Sequence, residues 1–252
     1  MSKHKLQHFA DMANYPNVIE PSFGEVFHTD FRTKGCWNNI FGNNHPIVLE
    51  LGCGKGEYTV ALARQYPDKN FIGIDIKGAR MWVGATNALH QHLQNVVFLR
   101  TRIEFIRSCF AAGEVSEIWI TFPDPQPQQS RANKRLTSAR FLNAYREILR
   151  SDGFIHLKTD SQNLFEYTRN VAKFNGLPIA SCTDDLYRSD IIGDIFSAQT
   201  HYEQLFIAKG FTIKYLKFSI PAKNNLIEPS TAHKPANDHN KDIHAPEEPF
   251  AK

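Results

Sequence analysis

VLELGCGKGEY, residues 48–58, runs from apolar residues through three alternating glycines into a segment with helical spacing. The apolar run, 47–51, reads as a short buried strand. The glycines after it permit a tight turn and a close approach of backbone to ligand that a Cβ would block. Helical spacing continues over 57–66 until Pro67-Asp68 ends it, and 71–74 is a second apolar run. Strand, helix and strand in about thirty residues make a βαβ unit, whose strands must be parallel.

The alternation extends outward from this unit. Helices are predicted at 79–92, 104–110, 138–150, 161–174 and 200–210, with strands at 96–99, 117–122 and 154–157. This order specifies an α/β fold with a mostly parallel, doubly wound sheet. Residues 211–220 alternate weakly and are expected to close the sheet as an antiparallel edge strand. Residues 1–44 mix basic and turn-forming side chains and read as an irregular arm with one short helix. The folded domain then covers 45–221. From about Ala222 the chain turns to Pro, Asn, His, Lys and Glu, which bury too little surface to offset ordering entropy. That tail, 222–252, is expected to be disordered, and truncation there to leave the fold intact.

Composition excludes several classes. With 42% hydrophobic and 22% charged residues, the 252-residue chain falls among ordinary globular proteins rather than disordered ones. A net charge of +3 is too small to imply a polyanionic partner by itself, so local clustering must carry that argument. The N-terminus lacks a signal-peptide core and no segment has the length of a membrane helix. The four cysteines form no C-x-x-C pair and sit in or beside apolar runs, as buried thiols in a reducing cytosol do. A cytoplasmic protein is expected. The tail histidines (His233, His239, His244) lack tight ligand spacing, so no metal site is expected.

The glycine loop follows the first core strand, at the end where open α/β sheets bind ligands. Dinucleotide sites use G-x-G-x-x-G, with a pyrophosphate on the helix N-terminus. Here Gly52, Gly54 and Gly56 form G-x-G-x-G after the acidic Glu50, which suits a ligand with an amino group and no phosphate. S-adenosylmethionine is such a ligand. Glu50 could meet its ammonium directly or through water, and Asp75, at the end of the next strand, could accept from ribose hydroxyls. Arg102, after the third core strand, could stack on adenine or stand in solvent.

ITFPDPQPQQSRANKR, residues 120–135, ends another strand over the same crevice. Pro123 and Pro125 restrict the backbone around Asp124 and fix its direction. Between Gln126 and Arg146 lie Arg131, Lys134, Arg135, Arg140 and Arg146 with no acidic residue. Beside a methyl-donor site, that group suggests a phosphate-rich substrate, because nucleic-acid affinity comes largely from phosphate neutralisation.

ELGCGKGE (50–57), NFIGIDIKGAR (70–80), FPDP with NKR (122–125 and 133–135), HLKTD (156–160) and THYE (200–203) together resemble the bacterial tRNA (guanine-N7)-methyltransferases. The resemblance implies a Rossmann-like S-adenosylmethionine-dependent methyltransferase fold. It implies methylation of N7 of a guanine in the tRNA variable loop, at position 46. It makes Glu50, Gly52, Gly54, Gly56 and Asp75 donor-binding residues and Asp124 the catalytic-site acid. Gln128, Arg131, Lys134, Arg135, Asp160, Thr200, Tyr202 and Glu203 become substrate-contacting positions. Arg102 falls where the family usually carries an acidic donor-binding residue, and Gln128 where it often carries lysine. Locally, Thr159-Asp160 also fits a helix N-cap and Thr200 with Glu203 a capping box. A tRNA-binding module without chemistry is the alternative, as is a protein or small-molecule methyltransferase; monomer and homodimer are both open.

Overall fold

The computed structural model describes residues 3–191, 201–221 and 225–229. The chain enters through α1 (Lys3–Met12), a two-residue strand β1 (Val18–Ile19), and short helices α2 (Phe23–Val26) and α3 (Trp37–Phe41). Then come β2 (Ile47–Leu51), α4 (Glu57–Gln65), β3 (Asn70–Asp75), α5 (Gly78–His90), β4 (Val96–Arg100), α6 (Ile106–Cys109) and β5 (Val115–Thr121). The second half holds α7 (Ala139–Ile148), β6 (Leu149–Thr159), α8 (Gln162–Phe174), β7 (Ile179–Thr183), α9 (His201–Ala208) and β8 (Lys214–Phe218).

These strands form one sheet in the order β1-β4-β3-β2-β5-β6-β8-β7. Strands β1 to β6 pair in parallel, while β8 runs antiparallel to both β6 and β7. All five residues of β2 are buried, as expected of a strand covered on both faces. Leu49 and Leu51 pack on one face with α7 and α8; Val48 packs on the other with Tyr58, Leu62, Met81 and Phe98. The strand order reverses between β2 and β5, where Leu51 stands beside Ile120. That switch point sets the glycine loop next to the Phe122–Pro125 segment, although about seventy residues separate them in sequence.

Several expectations need correction. The N-terminal 44 residues are not an irregular arm: β1 pairs with β4, Met12 is buried, and fully buried Trp37 stacks on Phe110 and donates from Nε1 to the Cys109 carbonyl at 3.0 Å. A two-residue strand is too short to show period two, so only its neighbours reveal it. The closing strand exists as β8 but lies inside the sheet; the edge is the half-exposed β7, which the sequence reading missed. Cys36 and Cys182 are exposed, while Cys53 and Cys109 are buried.

The start of the tail also departs from the expected disorder. Leu226 is buried in the core. Asn143 exchanges two hydrogen bonds with its backbone, at 2.8 and 2.9 Å, and Asn175 does the same with Ile227, both at 2.9 Å. Truncation near 222 therefore removes core packing. Residues 230–252, with the three tail histidines, lie outside the described residues.

Gly84 lets α5 lie against the glycine loop. A Cβ there would stand 2.6 Å from the Lys55 carbonyl oxygen, 2.9 Å from the Phe98 ring and 3.0 Å from the Gly56 Cα. Two of those neighbours are backbone, which cannot rotate away. Gly84→Ala is expected to destabilise the fold by about 1–3 kcal/mol, the usual range for overpacking. An unchanged denaturant midpoint would show that α5 can slide to make room.

Candidate active site

Gly52, Gly54 and Gly56 have φ of 73°, 55° and 69°, so the tight turn expected there is made with each glycine in the left-handed region. The amides of Gly52 and Cys53 donate to the Ile74 carbonyl at 2.8 and 3.1 Å, folding the loop over the end of β3. Asp75 completes the turn: its carboxylate accepts from Gly54 N at 2.9 Å and Lys77 N at 2.8 Å. The acid expected to meet a ribose thus also fixes the loop.

Glu50 lies beneath the loop, 4% exposed. It accepts from the Thr59 amide at 2.9 Å, from the Thr59 hydroxyl, and from Thr121 Oγ1 at 2.5 Å. Burial pushes its carboxyl up to about 7, against the opposing pull of those hydrogen bonds. It therefore joins β2, α4 and β5 at the switch point, and an approaching cation would favour its ionised form over the protonated one that burial favours.

Across the crevice, Phe122 and Gln126 have φ of 46° and 45°, a conformation that costs a non-glycine residue roughly 1–3 kcal/mol. The Phe122 amide donates to the Lys158 carbonyl at 2.9 Å, and the exposed Asp124 accepts from Gln126 N at 3.0 Å. Arg135 closes the loop from the other side, donating from Nε and Nη2 to the Gln126 carbonyl at 3.1 and 3.0 Å. Its guanidinium lies 4.2 Å from the centre of the Tyr167 ring, and burial pushes its pKa down. Arg135 is therefore set apart from the surface cations it was grouped with. Gln128, Arg131 and Lys134 are exposed on a 3-10 turn over Gln129–Lys134 and Arg140 is exposed on α7. Arg146 donates to Asn225 Oδ1 at 2.7 Å.

Behind this loop, fully buried Lys158 meets fully buried Glu203 at 2.7 Å. Tyr187 donates to the same Glu203 oxygen at 2.6 Å, and the Lys158 ammonium faces the Tyr58 ring at 5.0 Å. Burial pushes the Lys158 pKa down and Glu203 opposes this. Glu203, expected to contact substrate, is buried here as the counter-ion of Lys158, a pair that ties α9 to β6. Thr200 and the side chain of Tyr202 lie outside the described residues, so the THYE capping box is not seen. Ser161, not Asp160, caps α8, accepting from Leu164 N at 3.3 Å. The Asp160 carbonyl accepts from Lys214 Nζ at 3.0 Å. Arg102 is exposed and pairs with Glu104 at 3.3 Å. Among the described residues no cluster of ligating side chains could hold a metal ion, and no helix is long and apolar enough to cross a membrane.

A family model described as "Putative methyltransferase" matches residues 44–216. A tRNA (guanine-N(7)-)-methyltransferase of Bacteroides thetaiotaomicron is 55% identical over 230 residues, covering 91% of this chain and 90% of that protein. One of Christiangramia forsetii is 50% identical over 221 residues, 87% of this chain and 99% of its own. The chain belongs to the tRNA (guanine-N7)-methyltransferase family. Among solved structures, the 16S rRNA methyltransferase KamB aligns with a TM-score of 0.56 at 16% identity, over 73% of this chain and 92% of that one, which shows a shared fold.

Against that family background, both loops stand out in the sequence, whereas Thr59, Thr121 and Lys158 do not. Nothing in the sequence marks the two threonines, because each lies in an ordinary helix or strand pattern. Lys158 did leave a signal: a lysine in an apolar strand needs a buried counter-charge. Which acid supplies it depends on where α9 packs, 45 residues away along this methyltransferase chain.

Proposed function

We propose that the protein transfers the methyl group of S-adenosylmethionine to N7 of the guanine at position 46 of tRNA, in the cytoplasm. The observation that carries this reading is the side-by-side placement, at the switch point, of the acid-backed glycine loop and the rigid Asp124 loop. The residues fit the donor: three left-handed glycines leave a backbone cradle, and Glu50 and Asp75 supply negative charge for an ammonium and acceptors for hydroxyls. When bound, the donor supplies an electrophilic methyl on a sulfonium. Guanine N7 has a free lone pair and needs no general base. Its bond to the methyl carbon forms as the sulfur–carbon bond breaks, and the electron pair stays on sulfur. Asp124 orients the guanine by accepting from its N1 and N2 donors, and its charge stabilises the cationic ring that develops. Arg131, Lys134 and Gln128 face the tRNA backbone, and Arg102 borders the adenine.

The test is transfer of labelled methyl to unmodified tRNA transcripts, followed by nuclease digestion and mass spectrometry. The expected product is 7-methylguanosine in the variable loop, lost when that guanine is replaced. Label at another base or another loop would overturn the assignment.

Glu50 adds a pH signature. Its carboxyl titrates near 7 in the fold against an ordinary value of 4.5, so the folded state holds the proton longer than the unfolded chain. Stability then falls as pH rises from 4.5 to 7 and levels off above, by about 3 kcal/mol in all. A bound cation favours the ionised carboxylate, so donor affinity should strengthen as pH rises through the same window toward 7. Glu50→Gln should bind donor more weakly at pH 7 and lose this slope. Calorimetric titrations giving the same slope in Glu50→Gln would assign it elsewhere.

A further inference from the structure

The C-terminal segment 225–229 reaches the Asp124 loop through contacts in series. Glu228 accepts from the Ala139 amide at 2.8 Å, the first residue of α7, and from the Tyr167 hydroxyl at 3.0 and 2.8 Å on its two oxygens. The Tyr167 ring carries the Arg135 guanidinium on its face. Arg135 holds the Gln126 carbonyl, and Asp124 holds the amide of that same residue. Gln126 is thus gripped from both sides in a left-handed conformation that it would otherwise leave.

We infer that Tyr167 and Glu228 are positioning residues for Asp124, acting through Arg135 on the Gln126 backbone, so that the C-terminal segment is part of the machinery that aims the acid. The inference rests on the role proposed above for Asp124. Its physical basis is the buried guanidinium. Desolvation opposes the Arg135 charge, while the Tyr167 ring that it faces and the carboxylate of Glu228 favour it. Loss of the carboxylate or of the hydroxyl that links it loosens Arg135, and with it the Gln126 carbonyl. A carboxylate on a helix N-terminus could serve α7 alone. The two roles separate by substitution: Glu228→Gln keeps an oxygen that can accept from Ala139, and Tyr167→Phe keeps the ring and leaves Glu228 on the helix. Leu226 and the two asparagine clasps remain in both variants, so the segment stays docked.

The experiment compares the full-length wild type, Tyr167→Phe, Glu228→Gln and the double variant by hydrogen exchange of the peptide over 120–131 and by single-turnover methyl transfer to tRNA. Exchange in the loop is expected to quicken about fivefold. Transfer should slow by about fivefold to tenfold at saturating donor and tRNA, the scale of a small loss of reactive alignment. tRNA affinity should stay within about twofold, and the double variant should be no worse than the worse single one, because both cut the same chain of contacts. Exchange and transfer at wild-type rates would overturn the inference. Faster exchange with unchanged transfer would keep the contacts but remove the positioning role. Asp124→Ala, measured alongside, then locates the fault: if it too turns over normally, the role of Asp124 has failed, and if it is inactive, only the role of the segment has.

Discussion

Asp124→Ala is expected to lower single-turnover methyl transfer by about 10²–10³-fold, the range seen when a preorganised electrostatic group is removed from a reacting centre, while tRNA affinity changes little. Asp124 is exposed at the crevice mouth, but its loop is constrained by two prolines, two left-handed residues and the Arg135 clamp. Such an investment of strain around a single carboxylate is unnecessary for a simple turn. Asp124→Asn divides the effect. An amide oxygen can still accept from Gln126 N, so the loop should persist, whereas the negative charge is gone and an N–H₂ replaces one acceptor. If charge on the developing cation matters, Asn should fall most of the way to Ala. If only loop geometry matters, Asn should work almost as well as the wild type. Wild-type turnover in Asp124→Ala, with donor and tRNA binding intact, would remove the residue from the mechanism.

The parts of this molecule legible in the sequence are those whose signal is short-range. The glycine loop declared itself because left-handed backbone needs glycine, and the parallel strands because burial on both faces writes a continuous apolar run. The Asp124 loop was visible through its prolines. What the sequence hid depends on long-range packing. The short strand β1 is defined only by its partner β4, and the place of β8 between β6 and β7 is set by pairing with strands distant in sequence, which no local pattern fixes. Arg135 looks like its neighbours Arg131 and Lys134 in sequence, and only the position of Tyr167 on α8 separates a buried clamp from a surface cation. Residues 225–229 look like tail because the average over 222–252 is polar, whereas one buried leucine, Leu226, and the side chains of Asn143 and Asn175, distant in sequence, hold the segment in place.

Lys158 and Glu203 give the second large effect, this time on stability. Both are fully buried, so removing one partner strands the other charge in a poorly solvating interior. Lys158→Met should destabilise the fold by about 3–5 kcal/mol, the usual result of breaking a buried pair from one side. At about 2–4 °C per kcal/mol for a chain of this size, the melting temperature should fall by roughly 10 °C. The double variant Lys158→Met/Glu203→Leu should recover most of that loss, because two apolar side chains of similar volume carry no desolvation cost. Recovery would show that the single variant failed through the orphaned charge and not through packing. The double variant also decides what Glu203 does. The family resemblance makes it a substrate-contacting position, whereas its burial and its bond from Tyr187 make it the anchor of α9. A stable double variant that binds tRNA and transfers methyl at close to the wild-type rate would assign Glu203 to anchoring alone. A stable double variant that has lost transfer would show that the buried pair serves the reaction as well as the fold.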